Sequence, residues 1–212
     1  MVGLNDVFLD GSEEAIWQLP ANGTYYQTPE AARFLPYNSS YQPNYVLAPQ
    51  LLAAFEPGDL RKANWTNFST VNVGGVPTMY YYPYKYKKSV AGATPIEDYA
   101  LLRLADIYLI RAEALARTEK LTEARADLNK VRLRANVGEV TSTIKEVVIN
   151  AILHERQVEM FCEWGNRWFD LKRTNTIDAV LGAAKPAWKP SYALFPIPIA
   201  EIQANPSLQP NN

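Results

Sequence analysis

Leu121, Ala124, Leu128, Val131 and Ala135 step along the chain by three and four residues, and that spacing commits the segment to a helix with one buried stripe. Just before it, Tyr99 to Arg117 is apolar around most of its circumference, which predicts a helix buried on several sides. The short 118–121 link makes the two helices antiparallel neighbours. Small residues at Ala112, Ala114, Ala116, Ala124 and Ala126 let their backbones come close. Thr122 reads as the second helix's N-cap and Asn136-Val137-Gly138 as its stop. A third helix opens at Thr143, with Glu146 completing a capping box, and runs through Val158 and Phe161 to Gly165. Arg167 to Arg173 predicts a further short helix. Pro186, Pro190, Pro196, Pro198, Pro206 and Pro210 then hold the remainder extended, including the apolar strip Leu194 to Asn205.

The first 95 residues have another character, so the expected organisation is an irregular region over 1–95 and a helical region over 96–212 within one structural domain. Residues 1–95 are rich in Tyr, Pro, Asn and Gly and predict loops, a short strand at Ala15–Leu19 and a helix at Pro49–Phe55. Met79 to Tyr86 partly alternates and suits an edge strand, because Pro83 cannot donate to a ladder. Gly74-Gly75 lacks the rest of a phosphate loop and reads as a turn.

The residue inventory removes several functions. With 21 basic and 22 acidic residues the net charge is -1, so no global field draws in nucleic acid or anionic lipid. The single Cys162 rules out an intramolecular disulfide and a cysteine zinc site; its place on a predicted apolar helix face implies a buried, inert thiol. His154-Glu155 starts a zinc-protease pattern, but Val158 stands where the second His is needed and the chain has one His. No G-x-S-x-G elbow accompanies that His. No metal, cofactor or catalytic residue is expected. No segment has the length of a membrane span, and the first residues show no secretory leader pattern.

Several motifs occur in an informative order. Leu51 to Arg61 carries Phe55, Asp59 and Arg61. Tyr99 to Leu115 runs YALLRLADIYLIRAEAL. Glu155-Arg156 leads to Gly165, Arg167-Trp168, Asp170 and Leu171, and Leu194-Phe195-Pro196-Ile197-Pro198 with Glu201-Ile202 closes the series. This series resembles the C-terminal portion of the SusD/RagB family, the surface glycan-binding lipoproteins of Bacteroidetes-type bacteria. The resemblance implies a mainly α fold of TPR-like helical hairpins, a SusD-like α-α superhelix, with an irregular, partly β N-terminal region and an extended Pro-rich tail. It also implies non-catalytic binding of an oligosaccharide or polysaccharide at the outer membrane surface. The implied partner is a SusC-like TonB-dependent transporter, with membrane attachment only through a lipid anchor that this chain does not carry. The alternative is a helical-repeat scaffold that binds a peptide or protein.

Two groups of residues compete for the site. Glu155, Glu159 and Glu163 share a helix face at four-residue spacing, but glycoside hydrolysis needs two carboxyl groups facing each other across a sugar. Glu155, Arg156, Arg167, Trp168 and Asp170 therefore read as a structural charge network, with Trp164 and Trp168 as packing. Arg125, Asp127, Lys130, Arg132 and Arg134 read as a solvated face. The aromatic residues of the first region are the binding candidates, because sugars stack their C–H faces on flat rings. They are Tyr25, Tyr26, Tyr37, Asn38, Tyr41, Asn44 and Tyr45, with Trp65 beside Asp59, Arg61 and Asn64 as a second position.

Overall fold

The computed structural model describes residues 1–21, 28–90 and 93–210. It has two compact units, Met1–Trp164 and Gly165–Asn212. The fold is mainly α with small sheets.

In the first unit, β1 (Ala15–Leu19) pairs antiparallel with β4 (Tyr99–Arg103) through a register that slips on either side of Trp17. This pairing crosses the change of composition near Pro95 and ties the two regions together. β2 (Thr66–Val73) and β3 (Val76–Pro83) form a hairpin in continuous register, from Thr66 opposite Pro83 to Val73 opposite Val76. Its turn needs positive φ at both central positions, and Gly74 and Gly75 supply 60° and 90°. Three short helices join these strands. In α1 (Pro29–Phe34) the Thr28 hydroxyl accepts from the Ala31 N–H at 3.1 Å, and α2 (Pro49–Ala54) starts on proline. At the start of α3 (Leu60–Trp65) the Asp59 carboxylate accepts from the Arg61 N–H at 2.9 Å.

The helical part is built from α4 (Leu104–Arg117), α5 (Leu121–Arg134) and α6 (Lys145–Glu159). Ala105, Leu109, Ala112, Ala116, Ala124, Leu128, Val131, Val148 and Ile152 form its core, each fully buried. The stripe of α5 is as expected, and Ala112, Ala116 and Ala124 take the close-approach positions. Ala114 and Ala126 are exposed.

Local expectations need correction where tertiary contacts override them. Tyr99–Arg103 is a strand, not the first turn of a helix, because β1 offers a ladder and a short apolar run fits either form. Thr122 does not cap α5, which follows Lys120 without a side-chain cap. Nor does Thr143 cap α6; the helix follows Ile144, whose N–H donates to Ser142 Oγ at 3.1 Å. That helix stops at Glu159, and the chain then turns through positive φ at Cys162 (56°) and Trp164 (46°). Cys162 is accordingly exposed, not buried.

The second unit begins with α7 (Asn166–Arg173), entered through Gly165 at φ 70°. Its tail is not extended throughout. Ile177–Ala184 forms α8, Pro190–Ala193 a 3-10 turn, and Ile199–Ala204 forms α9 inside the strip expected to be extended. Proline is tolerated at a helix entry, where its missing N–H has no partner to lose, and Pro198 sits at that entry. Within this unit Trp188 lies 6.2 Å from Trp168 and 6.0 Å from Tyr192, and its Nε1–H donates to Asp178 at 2.9 Å.

Candidate functional site

The carboxylates of α6 and the turn after it meet a set of cations gathered from four other segments. Arg61 donates to Glu155 at 2.5 Å, to Glu159 at 3.0 Å and to Asp59 at 2.8 Å. Arg103, at the end of β4, donates to Glu159 at 2.6 Å and to both Glu163 oxygens at 2.8 and 2.9 Å. Lys85 pairs with Glu163 and donates to the Glu159 carbonyl at 2.7 Å. Arg132 reaches Glu155 at 3.1 Å, and Arg134 joins Glu14 at 2.8 Å and also Glu159. Arg132 and Arg134 thus turn inward rather than onto a solvated face, and Asp127 is buried with them, taking Arg111 at 2.6 Å.

This cluster is unsuited to acid–base chemistry. Glu155 and Glu159 have no solvent-accessible side chain, and their oxygens are occupied by guanidinium donors. Burial opposes the charge of Glu159, but Arg134, Arg103, Arg61 and Lys85 outweigh it and hold the carboxyl well below the usual carboxylate range. Glu163 is also lowered: burial acts against it and Arg103 with Lys85 prevails. At Glu155 burial wins over Arg61 and the carboxyl is raised. Burial pushes Lys85 down to about 8 despite Glu163. Of the other residues assigned to the charge network, Arg156 pairs with Asp106 at 2.7 Å, and Asp170 takes Arg173 at 2.8 Å within α7. Arg167 and Trp168 are half-buried.

Trp65 belongs to this interior and is corrected as a ligand candidate. Its side chain is 0% exposed, its Nε1–H donates to the Leu4 carbonyl at 2.9 Å, and Lys85 lies 4.7 Å above its ring. A ring enclosed on every side has no face left for a sugar.

The loop between α1 and α2 is different. Tyr37 is 85% and Tyr41 58% exposed, and their rings meet edge to face at 5.5 Å. Asn38 makes the local turn, its side-chain oxygen accepting from the Ser40 N–H at 2.9 Å and its carbonyl from the Tyr41 N–H at 3.1 Å. The loop is pinned to the hairpin at two points, by Thr70 N–H to the Ser39 carbonyl (2.9 Å) and Leu47 N–H to the Tyr81 carbonyl (2.8 Å). Tyr45 is also exposed and meets Phe34 edge to face at 5.9 Å; Asn44 beside it is exposed. Tyr25 and Tyr26 lie outside the described residues. The structure therefore brings Tyr37, Asn38 and Tyr41 together and places Tyr45 on the same loop.

Trp164 is the exposed aromatic residue that sequence reasoning assigned to packing. It is 47% exposed because the chain leaves α6 early and enters positive φ. Nothing in the local pattern of Phe161 to Trp168 marks that turn except Gly165. Phe68 and Met79 on the hairpin are exposed as well, and strand alternation carried that signal.

Fold and site together define a helical scaffold with a buried carboxylate–guanidinium cluster inside and a tyrosine-bearing loop displayed outside. A model of the SusD family matches residues 22–192, and the chain belongs to that family. It is 30% identical over 146 residues to SusD-like protein P2 of Formosa agariphila, a match covering 62% of this chain and 29% of that protein. It is 35% identical over 136 residues to the starch-binding protein SusD of Bacteroides thetaiotaomicron, covering 58% of this chain and 23% of that protein. Among solved structures, a SusD superfamily protein from Bacteroides vulgatus superposes with a TM-score of 0.76 at 20% identity, over 100% of this chain and 54% of the other. Surface glycan-binding protein A from Bacteroides thetaiotaomicron gives 0.69 at 19% identity, over 100% and 55%. The matches thus span under a third of these curated relatives and about half of the solved chains.

Proposed function

We propose that this chain binds a glycan without transforming it, at the surface of the outer membrane, as part of a protein that passes the glycan to a SusC-like TonB-dependent transporter. The observation that carries this reading is the Tyr37–Tyr41 pair, two exposed rings held at 5.5 Å on a loop fastened to a hairpin. Flat apolar faces with polar edges suit a pyranose ring, and a loop held at both ends loses little freedom when it binds. The names of two proteins that the chain resembles, a starch-binding protein and a surface glycan-binding protein, state the same chemistry for those proteins. Each ring contact contributes roughly 0.5–1.5 kcal/mol beyond area burial, so useful affinity comes from several contacts along one polymer.

Affinity electrophoresis through gels containing soluble polysaccharides, starch among them, tests the proposal. Retardation by one polysaccharide, weakened about tenfold in Tyr37→Ala/Tyr41→Ala, is the expected result for two ring contacts of that size. Retardation untouched by the double substitution would remove the loop from the site. An absence of retardation by every polysaccharide, with capture of a peptide ligand instead, would favour the scaffold reading.

A further inference from the structure

We propose that the outer face of Trp164, backed by Tyr99, is a second stacking platform for a pyranose ring, built from residues other than those of the Tyr37–Tyr41 loop; this rests on the glycan-binding reading above. The indole is held from behind. It stacks on the Tyr99 ring at 4.8 Å with 30° between the planes, and its Nε1–H donates to the Ala100 carbonyl at 2.9 Å. Tyr99 is itself anchored. Its hydroxyl bonds to Glu30, and its ring meets Tyr86 at 6.3 Å. Tyr86 in turn accepts the Ala100 N–H at 3.1 Å. With its polar atom committed and one face covered, Trp164 presents a fixed apolar surface to solvent and is 47% exposed.

The backbone makes this placement costly. Trp164 sits at φ 46°, two residues after Cys162 at 56° and just before Gly165 at 70°. Gly or Asn would adopt that conformation with less strain. A tryptophan there does not ease the turn, and although its inner face packs on Tyr99 it leaves 47% of its surface in solvent. Strained non-glycine residues concentrate where a side chain must be presented to a ligand. A rigid aromatic face that loses almost no rotamer freedom on binding is what ring stacking requires.

The test uses the same polysaccharide gels and the whole chain. Trp164→Ala is expected to weaken retardation about three- to tenfold, Trp164→Phe to stay within about twofold, and the Ala effect to add to that of Tyr37→Ala/Tyr41→Ala. A circular dichroism spectrum like that of the unsubstituted chain and a cooperative melt above the assay temperature separate lost binding from lost structure. Should the Ala variant not fold, Trp164→Leu carries the same expectation, since it keeps apolar bulk and lacks the flat face. Wild-type retardation by a folded Ala or Leu variant would overturn the platform while leaving the tyrosine loop in place. Failure of the unsubstituted chain to be retarded by any polysaccharide would overturn both.

Discussion

At the scale of single residues, Glu159 gathers more cations than any other carboxylate of the interior cluster. Arg61, Arg103 and Arg134 all donate to its carboxylate, which has no solvent exposure. Removing one partner of a buried pair leaves charge uncompensated, so Glu159→Gln should cost about 3–5 kcal/mol in urea unfolding. Glu119→Gln, which breaks the exposed pair with Lys145, should cost under about 1 kcal/mol. The pH dependence follows from the same group. Its folded carboxyl titrates well below the unfolded value of about 4.3, so its contribution is complete above that value and is lost as pH falls through the folded value. Glu163 acts in the same sense, and the raised Glu155 in the opposite one. Acid unfolding measured on Glu159→Gln should therefore show a shallower fall in stability below about pH 4.3. The carboxylate spacing at 155, 159 and 163 was readable in the sequence. Their partners were not, because Arg61, Lys85, Arg103, Arg132 and Arg134 come from separate segments and meet only after packing.

At the scale of elements, the α4–α5–α6 core was the most legible part. Apolar residues three and four positions apart lie on one face whatever surrounds the helix, so Leu128 could be placed inside before any contact was known. Leu128→Ala should cost about 2–5 kcal/mol, whereas the exposed Leu133→Ala should stay within about 0.5 kcal/mol; chemical denaturation measures both. The hairpin turn was legible for a similar reason, since the Gly74-Gly75 pair supplies a backbone conformation that few other residues accept. Helix ends were less so. Thr122 and Thr143 carry capping chemistry but α5 and α6 begin elsewhere, because caps contribute about 1 kcal/mol and packing outweighs them. The same competition made a strand of Tyr99–Arg103, where pairing with β1 delivers Arg103 to the carboxylates.

At the scale of the whole molecule, α4 leaves Ile107 and Ile110 exposed one turn apart, and Trp17 and Leu102 are exposed opposite each other on the β1–β4 pair. Apolar residues left uncovered in this way favour association. Sedimentation velocity should show concentration-dependent association of this chain, reduced by Ile107→Lys/Ile110→Lys; a single unchanging monomer would contradict the argument. By itself, the sequence determined the helical periodicity, the hairpin turn, the lack of an H-E-x-x-H or G-x-S-x-G motif in these residues, and the order of motifs that marks the family. Those properties depend on residue type and spacing along the chain, which folding does not alter. Only the tertiary structure decided which aromatic rings face water. Trp65 and Tyr37 are both aromatic residues of the first region, yet one lies beneath Lys85 and the other stands on a pinned loop. It also decided that Arg132 and Arg134 turn inward and that Trp164 turns out. Exposure is a property of what packs against a side chain, and those neighbours come from segments far apart in sequence.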